Sequence, residues 1–202
     1  MPKAKKKKEK EPVIYPDKFI KALETLTDEK LEYYKNNYNK DFETFVFTST
    51  IDRDPDQYVM ARFKYNGHTW NPKSSVEADY KKNLLDKMPK EDYDKIQKII
   101  NGEKLYNVRF DMNFYIQTPK NLNIQQFVLA EKGIRRPVAR RDCDNMAKLL
   151  QDSLAGVLYT DDCYVTSLHV EKYNSMNPRI EIKVTYSVFN ELDKRKKNKD
   201  GE

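Results

Sequence analysis

The chain has 202 residues, 35% charged and 38% hydrophobic, with a formal net charge of +6. That length allows one domain with a sizeable core and leaves too little for two generous ones. No run approaches the roughly 18 consecutive apolar residues that span a bilayer, which excludes a helical membrane protein, and the two cysteines, Cys143 and Cys163, fall outside any Cys-x-x-Cys pair, which argues against a disulfide framework or a ribbon-type zinc site. The opening MPKAKKKKEKEP is basic but is followed by no apolar segment, so it does not read as a secretion signal. A cytoplasmic protein with no membrane partner is expected. Residues 1–12 hold six lysines against two glutamates, and residues 191–202 five cations against four acids. Residues 1–12 read as a disordered basic tail and 191–202 as a charged tail on a nearly neutral body, so any attraction to nucleic acid must come from the tails or from local clusters.

In chain order, Pro16 to Asn37 reads as one kinked helix or two short ones, an N-terminal helical extension over 13–40, with Phe19, Ile20, Leu23 and Leu26 on one face. Tyr33, Tyr34 and Tyr38 are expected to pack that helix rather than to stack on bases. Phe42 to Ile51 is rich in β-branched and aromatic residues and is bounded by the turn formers Asp52 to Asp56, which predicts the first strand. Tyr58 to Phe63 is a second strand or a loop. Val76, Tyr80, Leu84, Leu85 and Met88 recur at helical spacing, so Ser74 to Met88 reads as a helix stopped by Pro89; a shorter one runs from about Glu91 to Ile100. Asn107 to Gln117 alternates cleanly, with Val108, Phe110, Met112, Phe114 and Ile116 on one side. Residues 118–139 read as irregular. Met146, Leu149, Leu150, Leu154 and Val157 share a helical face that ends at Gly156, and two strands follow, Tyr164 to Lys172 and Arg179 to Phe189. The expectation is an α/β domain over 41–190, a small mixed β-sheet of about four strands with helices packed on it.

The chemistry concentrates between Arg140 and Asp162, RRDCDNMAKLLQDSLAGVLYTDD. Asp142 and Asp144 lie two apart where the chain is expected to be still extended, so both carboxylates could point the same way and share a cation. Lys148 lies one helical turn beyond Asp144, with Asp152 a turn further, and Asp161 and Asp162 enter the next strand. Carboxylates of hard oxygen character suit Mg²⁺ or Mn²⁺, which take remaining ligands from water and phosphate. Lys132, Arg135, Arg136, Arg140 and Arg141 just upstream would supply phosphate-binding charge. On spacing alone the same residues would make an N-capped helix carrying an i,i+4 ion pair, with Asp144 as the cap, which is the commoner use of such a pattern. A zinc site from Cys143, Cys163 and His169 lacks four ligands at recognised spacing, and His68 and His169 read as structural.

Taken whole, Arg-Asp-x-Asp-Asn from Arg141, then Lys148, Asp152, Leu154 and the closing Asp161-Asp162, resembles the RusA family of Holliday junction resolvases. The resemblance covers residues 140–190 closely and extends more loosely to the 107–117 strand and the Ser74 to Met88 helix. It implies a RusA-like fold in which Asp142, Asp144, Asp162 and Lys148 are the catalytic set, the three aspartates holding the metal. Asp161 and Asp152 stand outside the ligand set, Asp152 supporting Lys148 or the helix surface. It further implies a homodimer that cuts paired strands of a four-way junction with Mg²⁺, in recombination, repair or bacteriophage DNA processing. The other readings are a flap- or fork-specific nuclease and a catalytically silent junction-binding protein.

Overall fold

The computed structural model describes residues 16–38, 42–59, 62–63, 69–138 and 141–193. The chain divides into two compact units, Met1–Asp41 and Phe42–Glu202. The first contains α1 (Asp17–Glu24) and α2 (Asp28–Tyr38), so the extension is two helices. The break is local chemistry: the Thr25 hydroxyl bonds back to the carbonyl of Lys21 at 2.8 Å, and the Thr27 hydroxyl accepts from the Lys30 amide at 3.3 Å, capping α2. Within this unit neither helix buries a side chain, and Tyr33, Tyr34 and Tyr38 are exposed.

The second unit holds β1 (Phe42–Ile51), the short antiparallel pair β2 (Arg62–Phe63) and β3 (Thr69–Trp70), α3 (Ser74–Lys87), α4 (Lys90–Asn101), β4 (Lys104–Gln117), α5 (Ile124–Glu131), α6 (Cys143–Leu154), β5 (Val165–Ser175) and β6 (Arg179–Leu192). Four strands form one sheet in the order β1-β6-β4-β5. β6 is antiparallel to both β1 and β4, while β4 and β5 run parallel. A parallel pair cannot be joined by a tight turn. The connection from β4 to β5 is therefore long, and it carries α5, α6 and every residue of the predicted chemistry.

Strand alternation places Val108, Phe110, Met112 and Phe114 of β4 beside Ile180, Ile182, Val184 and Tyr186 of β6 on one buried face. Val76, Tyr80 and Leu84 of α3, Ile96 and Ile100 of α4, and Met146, Leu149, Leu150 and Leu154 of α6 complete the same core. α6 packs against both α3 and β5, which sets its outer face at the sheet edge. The expected α/β architecture is present, with two differences in detail. The stretch read as irregular contains α5, capped by Asn123, whose side chain accepts from the Gln126 amide at 2.9 Å. Its only buried residue is Ala130, while Ile124 and Val128 are exposed, so it has no core-facing stripe for a periodicity search to find. The second difference is that α6 begins at Cys143 rather than near Met146, and this changes the geometry of the acidic pair.

Candidate active site

Asp142 is the N-cap of α6 and Asp144 already sits in its first turn, so the cap is Asp142 and not Asp144. Asp142 keeps an extended backbone while Asp144 is helical, so the expectation that both lie on extended chain holds for Asp142 alone. Asp142 makes no side-chain cap bond to the helix amides; its Oδ2 accepts only a long bond from Asn145 Nδ2 at 3.4 Å. Both aspartates are exposed. Lys148 follows Asp144 by one turn, and its ammonium lies 4.2 Å from the centre of the Tyr58 ring. That cation–π contact holds the side chain over the helix surface without neutralising it.

The end of α6 and the start of β5 enclose a cleft of about 470 Å³ lined by Lys148, Gln151, Asp152 and Asp162 on one wall and by Val165 to Leu168 on the other. Gly156, with φ +77°, ends α6, and its amide donates to the Tyr159 carbonyl at 2.7 Å. The chain turns there and delivers the second acidic pair. Asp161 Oδ1 accepts from the Cys163 amide at 2.9 Å and caps a short 3-10 turn over Asp162–Tyr164. Asp162 lines the cleft. Below it is the buried Tyr159, whose hydroxyl donates to the Gln151 carbonyl at 2.7 Å. Burial first, then the nearby charges of Asp162 and Asp152, push that phenol far above its ordinary value, so it stays a donor.

Asp152 is expected from the sequence to support Lys148 or the helix surface. It lies in the cleft with Lys148 and Asp162, and its carboxyl is held above the ordinary value by burial, countered by Lys148 and reinforced by Asp162 and by Glu77 of α3. The signal was available as the i,i+4 register running Asp144, Lys148, Asp152. Glu77 carried none, because only tertiary packing brings α3 against α6.

The start of α6 is tied to the loop after β1. Arg141, at φ +64°, donates to the Pro55 carbonyl and to Asp54 Oδ2 at 2.6 Å, and Tyr58 N–H donates to the Asn145 carbonyl at 2.9 Å. Lys73 pairs with Asp56 at 2.7 Å. Burial pushes Asp56 up, but the Lys73 bond, the Gln57 amide and the Arg141 charge together hold it below its ordinary value. Arg136 is equally engaged: it donates to the Lys172 carbonyl at 3.0 Å and Glu171 at 3.1 Å and lies 3.6 Å from the centre of the Tyr173 ring. Arg135 and Lys132 are exposed and form no ion pair among the described residues. Arg140 lies outside the described residues. Two of the predicted phosphate-binding arginines thus serve first to brace the scaffold.

A family match fits this arrangement. The pattern defining the family described as Endodeoxyribonuclease RusA matches residues 55–185, from the loop that braces α6 to the middle of β6. The chain belongs to the RusA endodeoxyribonuclease family. A second comparison finds 35% identity over 79 residues with an uncharacterized protein of Bacillus subtilis (strain 168), YqaN; the aligned stretch covers 38% of this chain and 56% of that protein. The RusA match takes in α3, α4, β4, α5, α6 and β5 and the first half of β6, and it leaves out the Met1–Asp41 unit.

For a RusA-family metal the donor chemistry is right: Asp142, Asp144 and Asp162 offer hard oxygens, and none is committed to an ion pair among the described residues. Their placement is looser. Among the described residues no three His, Cys, Asp or Glu side chains gather closely enough to hold a metal ion. Asp162 shares the cleft with Lys148, whereas Asp142 and Asp144 stand one to two turns nearer the start of α6. No helix among the described residues is long and apolar enough to cross a membrane.

Proposed function

We propose that this chain is a divalent-metal-dependent endonuclease that resolves four-way DNA junctions by paired strand cleavage. One observation carries the reading: in a RusA-family chain, Lys148 and Asp162, far apart in sequence, line a single cleft at the end of α6. Asp142, Asp144 and Asp162 would hold the cation, which supplies an activated water and offsets charge on the departing 3′ oxygen. Lys148 presents a point charge toward a non-bridging phosphate oxygen. The buried Tyr159 ties its hydroxyl to the Gln151 carbonyl of the cleft wall, near the Asp162 charge. Arg135 and Lys132 offer unpaired charge to the flanking phosphates. A homodimer would set two such clefts about a two-fold axis, which matches a two-fold junction and permits symmetric nicks.

The test is cleavage of a synthetic four-way junction, a flap and a linear duplex with Mg²⁺ or Mn²⁺. Paired nicks on the junction and little cutting of duplex are expected. Asp144→Asn should lower the rate by at least about 100-fold while leaving junction binding in place, since the carboxylate acts on the reaction more than on affinity. Preferred cutting of flaps would reassign the substrate, and an unchanged rate for Asp144→Asn would remove Asp144 from the active site.

A further inference from the structure

Away from the cleft, a cavity of about 540 Å³ opens between the loop that follows β4 and the segment that leads into α6. Its size is that of a small-ligand pocket. Its walls differ in kind. Leu122, Pro137 and Val138 give an apolar side, and Val138 is 95% exposed among the described residues. Lys120 and Arg135 stand on the polar side, and neither makes an ion pair or side-chain hydrogen bond among the described residues.

The cavity wall is braced before any ligand arrives. The amides of Ile134 and Arg135 both donate to the Leu129 carbonyl, at 3.0 and 2.9 Å, and the buried Asn174 donates to the Arg135 carbonyl at 3.1 Å. The neighbouring Arg136 is clamped on β5, as described above. Arg135 therefore projects from a fixed backbone while its charge remains unused. A preformed concavity with two cations unpaired among the described residues and one exposed aliphatic side suits a ligand that joins an anion to an apolar ring. A nucleotide is such a ligand. Phosphate contacts alone would need no concavity.

Position supports the same ligand. Arg141 lines the cavity and directly precedes Asp142 at the start of α6. Lys148 lies five residues past Cys143, where α6 begins, which is roughly 7.5 Å at the helical rise of about 1.5 Å per residue. A strand rising about 3.4 Å per nucleotide crosses that distance in about two to three steps.

We propose that this cavity is a subsite for one unpaired or everted nucleotide of the bound strand, about two to three nucleotides from the phosphate at Lys148, with its phosphate on Arg135 and Lys120 and its base against Leu122, Pro137 and Val138. The proposal rests on the nuclease reading above. It gives the protein a means of choosing where along a strand the nick falls, because a base that fits this cavity fixes the register of the strand in the cleft.

The experiment places a single abasic site at each of the six positions on either side of the nick in a four-way junction and measures cleavage by the full chain. One position, two to four nucleotides from the nick, should lower the rate about ten-fold, the size expected for losing the burial of roughly 55 Å² of apolar base surface at about 25 cal/mol per Å². Arg135→Ala and Val138→Glu should each abolish that positional dependence at an unchanged melting temperature. Ile124→Glu introduces the same charge on the exposed start of α5, outside the cavity, and should leave the dependence intact. Equal rates at all positions, or a dependence that survives both cavity variants, overturns the subsite. If the chain cuts no junction, anisotropy of a labelled twelve-nucleotide single strand decides: about ten-fold weaker binding by both cavity variants and not by Ile124→Glu upholds the subsite although the nuclease reading has failed. Unaltered binding removes it.

Discussion

Asp152 carries a like-charge burden that its neighbours only partly relieve. Burial, Asp162 and Glu77 raise its carboxyl while Lys148 lowers it, and the net direction is upward. A carboxyl whose folded-state value is raised leaves the protein most stable when protonated. That contribution is complete below the ordinary value of 3.8 and is lost as pH rises through the raised folded value. Asp152→Asn should therefore melt above the parent chain at neutral pH, with the difference closing as pH falls toward 3.8. The gain is modest because the group is largely solvated. Junction cleavage should drop in the same variant, since Lys148 loses its partner one turn away; thermal melts and cleavage rates measured together check the trade between stability and activity. The four residues first singled out, Asp142, Asp144, Lys148 and Asp162, could be proposed from the sequence because the spacing and resemblance act within one short stretch. Glu77 and Tyr159 were not, because proximity across packed elements leaves no mark in the local pattern.

At the scale of elements, α6 is a platform fixed at both ends. Its start is held by the loop of Asp54 to Tyr58 through Arg141, Asn145 and the Lys73–Asp56 pair. Asp56 has a lowered folded value, so it stabilises the chain above the ordinary 3.8 and ceases to do so as pH falls through the folded value. Asp56→Asn should cost on the order of 1 kcal/mol at pH 7, read by urea unfolding, and nothing in strong acid. The far end of α6 depends on Gly156. A Cβ there would meet nothing within 4 Å, so the penalty is backbone strain alone at φ +77°. Gly156→Ala should lose about 1–2 kcal/mol and should disturb the turn that delivers Asp162, lowering cleavage more than a surface change of equal stability cost. Helix limits were the least legible part of this region. The apolar stripe begins at Met146, but backbone pairing begins earlier, with the Met146 amide bonded to the Asp142 carbonyl at 3.0 Å.

For the whole molecule, the buried core runs from Phe47 to Tyr186 and lies entirely within the Phe42–Glu202 unit. A chain beginning at Phe42 should therefore keep its cooperative melting transition, with a midpoint within a few degrees of the full chain, by calorimetry. A large fall would mean that the helices α1 and α2 contribute to the core after all. The same core explains why the active region forms at all. Parallel pairing of β4 and β5 requires a long crossover, and the crossover that packs α6 on α3 and β5 carries Lys148 and brings Asp162 beside it.

The alternation of β4 and β6, the apolar stripe of α6 and the acid–lysine pattern are local regularities, and for that reason the amino-acid sequence by itself determined the fold class, the core faces and the family of this protein. Tertiary structure alone decided that α6 begins at Cys143 with Asp142 as its cap, that Asp152 and Glu77 press upon the cleft, and that Arg136 and Arg141 brace the scaffold. It also made the cavity beside Arg135. Each of these depends on which side chains meet across elements distant in sequence, and the packing of a particular helix on a particular strand is the physical step that periodicity does not encode.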